Sequence, residues 1–150
     1  MALEKISDLA AKADLLYRLG CVLSENSLTA KDYGMGEAVS MAEAHILKDI
    51  EEHPGVTITK LAKEWKRTKG AISQTVTKLE AKRLVEKKKS EKNSRIQLLY
   101  VTEKGEEFCK VHRMYDENDM LEIIRRVEKY HTKEEIETYF SVMKTWKENA

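Results

Sequence analysis

The sequence predicts a mainly α-helical chain with one small β-hairpin, on three observations. One proline and six glycines in 150 residues are too few for the many turns of an all-β fold. Apolar residues recur at helical spacing along most of the chain. Between residues 84 and 101 two β-prone runs flank a polar tip. The length suits one domain, 1–150. A hydrophobic content of 41% supports a core, but beside 35% charge it is low for a monomer, so some apolar surface is expected to meet a partner. Cys21 and Cys109 lie far apart with no signal peptide, which predicts free thiols and a cytoplasmic location. No apolar run is long enough to span a membrane.

Taken in order, residues 4–24 place Ile6, Leu9, Ala13, Leu16, Gly20 and Leu23 at helical spacing. Residues 26–39 are weakly patterned, hold two glycines, and predict an irregular or broken helical connection. Ser40 and Glu43 form a capping box. It opens a helix to about residue 52, with Ile46, Leu47 and Ile50 inward, ended by His53-Pro54-Gly55. Residues 56–58 predict one short strand. Thr57 or Thr59 then caps a short helix that buries Leu61, Ala62 and Trp65. Lys66-Arg67-Thr68 is a polar turn. A second helix runs from about residue 69 to 83, with Ile72, Val76 and Leu79 on one stripe. Two short helices joined by such a turn are a helix-turn-helix, and the following hairpin, 84–89 with 95–101, is its wing. Thr102 caps a long helix to about residue 130. Thr132 and Glu135 form a second capping box. It opens a last helix with Ile136, Tyr139, Phe140, Met143 and Trp146 on one face, a stripe too large for a helix lying alone.

The net charge of +1 is unevenly spread. Residues 60–95 hold thirteen Lys/Arg and four acids, a local net of +9 that leaves −8 for the remainder. A basic sector of this kind is the electrostatic footprint of a polyanion, although a solvated lysine-rich face would look the same. The 69–83 helix separates the two readings. Opposite its core stripe lie Gly70, Gln74, Thr77 and Ala81, flanked by Ser73, with Lys69 and Lys78 at the edges. A merely solvated helix more often carries Glu and Lys four apart. Small residues let a backbone approach a groove, and amides and hydroxyls read base edges. Phosphate-binding lysines set the register. The expected DNA-contacting set is therefore Thr68, Lys69, Gly70, Ser73, Gln74, Thr77 and Lys78 on the helix, with Lys88, Lys89, Lys92, Asn93 and Arg95 on the wing. An enzyme is not expected: there is no Gly-rich phosphate loop, HExxH, GxSxG or paired-Cys metal motif. A winged helix that binds another protein instead of an operator remains the alternative.

The run from Thr57 to Phe108 resembles the winged helix-turn-helix of the MarR family of bacterial transcriptional regulators. Leu79-Glu80-Ala81-Lys82-Arg83-Leu84-Val85 is similar to that family's Leu-Glu-x-x-Gly-Leu-Val, with Arg83 in place of glycine. Asn93-Ser94-Arg95 is similar to its wing Asp-x-Arg, with Asn93 in place of aspartate. The resemblance implies a homodimer that reads double-stranded DNA through residues 40–102, with dimerisation helices in 1–34 and 103–150. Ile6, Leu9, Ala13, Ile136, Tyr139, Phe140, Met143 and Trp146 would pack across its two-fold axis. It implies a repressor that releases DNA when an effector binds. Tyr17, Tyr33, Met35 and Met41 could line the effector pocket or belong to the core. No motif demands a cofactor. A zinc-sensing branch of the family has ligands at positions resembling His45, His112 and Asp116, and zinc accepts imidazole and carboxylate together. Glu25 is a candidate fourth ligand. Cys21 is expected to be a small buried hydrophobe.

Overall fold

In the computed structural model, residues 6–149 are described, apart from the side chains of 6, 7 and 26–28. The Ile6 side chain thus lies outside the described residues. The elements are α1 (Ile6–Leu28), β1 (Ala30–Asp32), β2 (Ala38–Ser40), α2 (Met41–Glu52), α3 (Ile58–Glu64), α4 (Lys69–Ala81), β3 (Val85–Lys89), β4 (Gln97–Val101), α5 (Glu103–Val127) and α6 (Lys133–Asn149). The mainly helical fold with a β wing is as expected. The chain forms two compact units, Met1–Lys110 and Val111–Ala150, whose boundary falls inside α5.

Local chemistry sets the helix starts in the first unit. Ser40 Oγ accepts from the Glu43 amide at 3.3 Å, and Glu43 Oε2 accepts from the Ser40 amide at 2.8 Å, which completes the capping box of α2. Thr57 caps α3 through the Lys60 amide, and Thr68 caps α4 through the Ala71 amide. Ile46, Leu47 and Ile50 of α2, Leu61 and Ala62 of α3, and Ile72, Val76 and Leu79 of α4 are buried, as are Leu84, Val85 and Leu99 of the wing. Each of these leucine, isoleucine and valine side chains contributes about 1.5–3 kcal/mol on burial. Trp65 is half-buried; its indole N–H donates to Asp49 Oδ2 at 2.6 Å, joining α3 to α2.

Three expectations are corrected here. Residues 26–39 are not an irregular connection: α1 runs to Leu28, and β1 and β2 pair as an antiparallel hairpin. Asp32 Oδ1 accepts the amides of Gly34, Met35 and Gly36, and both glycines hold positive φ (83° and 74°), which closes this turn. The strand expected at 56–58 shrinks to one bridge, Val56 with Leu99, because Thr57 is already committed to capping α3. Cys21 is exposed, because none of the described residues covers its part of α1, whereas Cys109 is buried.

The end of α4 explains the arginine that stands where the motif has glycine. Arg83 takes φ +59°. Its amide donates to Glu80 O and the Leu84 amide to Leu79 O, both at 2.9 Å, a Schellman closure. Helix α4 therefore stops at Ala81, two residues earlier than expected. A left-handed arginine costs about 1–2 kcal/mol, partly offset by the extra freedom glycine has when unfolded. Arg83→Gly is thus expected to raise stability by about 1 kcal/mol, read as a melting temperature about 2–4 °C higher.

In the second unit, Thr132 Oγ1 and Glu135 Oε2 form the reciprocal capping bonds at 3.2 and 2.9 Å, as the sequence predicts. Ile136 is buried, while Tyr139, Phe140, Met143 and Trp146 are exposed, and Tyr139 meets Phe140 edge-on with 5.6 Å between ring centres.

Candidate nucleic-acid interface

Helix α4 is held from behind by its buried Ile72, Val76 and Leu79, so the opposite side faces outward. Lys69, Gly70, Gln74, Thr77 and Lys78 are exposed there, and Ser73 is half-buried. The Thr77 hydroxyl donates to Ser73 O at 2.9 Å, which spends its proton and leaves oxygen lone pairs outward. Thr68 is exposed too, but its hydroxyl oxygen is the helix cap. The long amide of Gln74 is the side chain on this face best suited to bidentate contact with a base edge.

The wing pairs β3 with β4 in antiparallel register, from Val85 opposite Val101 to Lys89 opposite Gln97. At its tip Asn93 Oδ1 accepts the Arg95 amide at 3.0 Å, so the residue that replaces the motif's aspartate shapes the turn through the backbone. Lys88 is engaged: its ammonium is 2.7 Å from Glu86 and sits 5.0 Å from the centre of the Tyr100 ring. The hydrogen bond that it donates to the Glu86 carboxylate holds this lysine above its ordinary pKa. Lys89, Lys92 and Arg95 are exposed and carry no ion pair among the described residues. Arg67, just before the α4 cap, is likewise exposed and unpaired among the described residues. Sequence spacing places Arg67 only in the turn, yet a cation beside a helix start stands where phosphate contacts form.

The far end of α4 is tied down by groups that sequence spacing hides. Lys82 Nζ meets Glu43 Oε2 at 2.9 Å, and Lys104 Nζ donates to Lys82 O at 3.0 Å while pairing with Glu37. Burial pushes the Glu43 carboxyl up, but the Ser40 amide and the Lys82 ammonium outweigh it and hold it below the ordinary carboxylate value. Thr102 Oγ1 donates to Arg83 O at 2.6 Å and accepts from the Gly105 amide at 3.1 Å, capping α5 as expected.

The other expected residues are spread out. Tyr33 is core, packed edge-on against Phe108 with ring centres 5.3 Å apart, while Tyr17 is exposed and Met35 and Met41 are half-buried. Leu9 and Ala13 are exposed on α1. His45 is half-buried in α2, and His112 is buried with Nδ1 3.3 Å from Asp116 Oδ2 one turn along α5.

Two helices joined by a tight turn, the second presenting a small polar face, and a basic hairpin after them define a winged helix-turn-helix. The MarR family model matches residues 39–96, from β2 to the wing tip. Similar solved structures are Streptococcus pneumoniae FabT in complex with DNA (21% identity, 95% of this chain and 94% of that chain, TM-score 0.65), MarR (22%, 99% and 93%, 0.62) and the S. aureus MepR–DNA complex (18%, 75% and 80%, 0.61). At such identities these structures speak for the fold. No curated protein matches the sequence. The winged-helix region is therefore similar to the MarR family over residues 39–96, and the solved structures share its fold.

Proposed function

We propose that this chain is a sequence-specific, double-stranded DNA-binding repressor that acts as a homodimer on a pseudo-palindromic operator and responds to a ligand. The observation that carries the reading is the exposed face of α4, with Gln74 outward between Lys69 and Lys78, beside the unpaired wing cations. The fold shared with the FabT and MepR chains seen on DNA supports it. Dimerisation is supported by apolar side chains left exposed: Leu9, Leu16 and Leu23 on α1, and Tyr139, Phe140, Met143 and Trp146 on α6. In a two-fold dimer the α4 helices would enter successive major grooves about 10 base pairs apart. Selection of duplexes from a random pool tests this. An enriched inverted repeat of that spacing supports it; no enrichment, with weak binding to every duplex independent of salt, would favour a protein-binding winged helix.

The wing contributes through phosphates in this account. Lys89→Ala is expected to shallow the slope of log affinity against log salt by about 1 per monomer. An unchanged slope would remove Lys89 from the interface.

A second reading, zinc as the signal, is favoured by the His112–Asp116 pairing, two donors of types zinc accepts one helical turn apart. These two residues fit the ion. Bound zinc would fix α5 electrostatically, and the chain's residues would supply only its ligands. If zinc tightens DNA binding in the native chain, His112→Ala should abolish that effect; an effect that survives the substitution excludes this site.

A further inference from the structure

We propose that Glu37, Glu43, Lys82 and Lys104 form a clamp that sets the pose of the recognition helix, so that two carboxylates lying off its outward face govern how selectively DNA is read. This rests on the DNA-reading function proposed above.

The clamp grips the α4 end from three elements. Glu43 comes from the first turn of α2, and its Oε2 accepts both the Ser40 amide at 2.8 Å and Lys82 Nζ at 2.9 Å. That carboxyl is rigid before it meets the lysine, because the capping box has already fixed it. The pair is largely shielded from water, with side-chain exposures of 8% for Glu43 and 23% for Lys82. Shielding makes such a pair more sensitive to loss of one partner than a surface pair. Lys104, in the first turn of α5, donates to Lys82 O at 3.0 Å and pairs with Glu37, between β1 and β2. Lys82 is therefore held by both its side chain and its carbonyl. It is also the C-cap of α4, where a cation meets the negative end of the helix dipole. The next two carbonyls are held as well: Arg83 O by Thr102 Oγ1 at 2.6 Å, and Leu84 O by the Thr102 amide at 3.1 Å. A helix anchored at one end turns as a rigid lever, so a small change of angle at Lys82 moves Gln74 relative to a base edge. The hairpin, α2 and α5 thus all bear on one residue, and all four charged groups are positioning residues.

Neutralising the two acids separates positioning from simple electrostatics, because the two effects have opposite signs. If Glu43 and Glu37 acted only as negative charges, Glu43→Gln and Glu37→Gln would tighten binding to every duplex. The clamp predicts that each lowers affinity for the duplex selected by the native protein by about tenfold while a scrambled duplex is bound as before. Lys82→Arg should retain selectivity and Lys82→Met lose it. Thermal melts establish that each variant is folded. Glu37 and Lys104 are part-exposed, so Glu37→Gln and Lys104→Met decide the matter if Glu43→Gln does not fold. Tighter binding to both duplexes, or unchanged selectivity, overturns the clamp. Should the native protein select no duplex, the DNA-reading function fails by itself. Hydrogen exchange without DNA then judges the clamp. Faster exchange at the Arg83 and Leu84 amides in Glu37→Gln and Glu43→Gln keeps it; unchanged exchange overturns it.

Discussion

Gln74→Ala should cost about 1–3 kcal/mol of affinity per half-site, and the loss should vanish when one particular base pair of the operator is changed. The side chain is exposed on the outward face of α4, with Lys69 and Lys78 at the edges and small neighbours that let the backbone approach. Because a homodimer presents the residue twice, the total would reach about 2–6 kcal/mol on a symmetric site, some 30-fold or more in affinity. The check is a set of single-base variants titrated against native and mutant protein. Equal loss on every sequence would mean that Gln74 holds backbone rather than reading a base.

Gly105→Ala should destabilise the fold by about 3–5 kcal/mol. A Cβ at this position would stand 2.2 Å from Leu84 O and 3.1 Å from Leu84 C, both backbone atoms. Leu84 O already accepts the Thr102 amide, and Leu84 itself closes the Schellman turn of α4. The methyl group can be admitted only by moving α5 away from the junction of α4 and β3, which breaks those bonds together. Chemical denaturation reads the loss directly. A stability within 1 kcal/mol of the native chain would show that the junction is looser than this close approach implies.

What the sequence makes legible is chemistry that acts over a few residues. The Ser40–Glu43 and Thr132–Glu135 boxes and the caps at Thr57, Thr68 and Thr102 each link residues three apart, so spacing alone reveals them. The stripe of Ile72, Val76 and Leu79 likewise fixes which face of α4 is outward. The hairpin of β1 and β2 escapes such reading because three-residue strands carry no usable alternation; Asp32 followed by Gly34 and Gly36 is its one signal. The sequence leaves Tyr33 as pocket or core, with core favoured, and its edge-on contact with Phe108 is too distant along the chain for spacing to reveal. Within the site, Gln74 is legible from the helical wheel, whereas Lys88 is engaged by Glu86, two residues back on the same strand, and by the Tyr100 ring on the other strand, which only the structure shows. The clamp was least legible. Glu43 and Lys82 are 39 residues apart and Glu37 and Lys104 are 67 apart, and the role of Glu43 as a capping residue already accounts for its presence.

Because α4 is taken to read bases while the wing holds phosphates, the most direct measurement is fluorescence anisotropy of the native protein. It would compare the duplex just upstream of its own gene, or the duplex selected from a random pool, with a scrambled one at two salt concentrations. The account predicts affinity for the selected duplex at least about 10³-fold above the scrambled one, with both falling steeply as salt rises. Equal affinity for the two duplexes at both salt concentrations would contradict it.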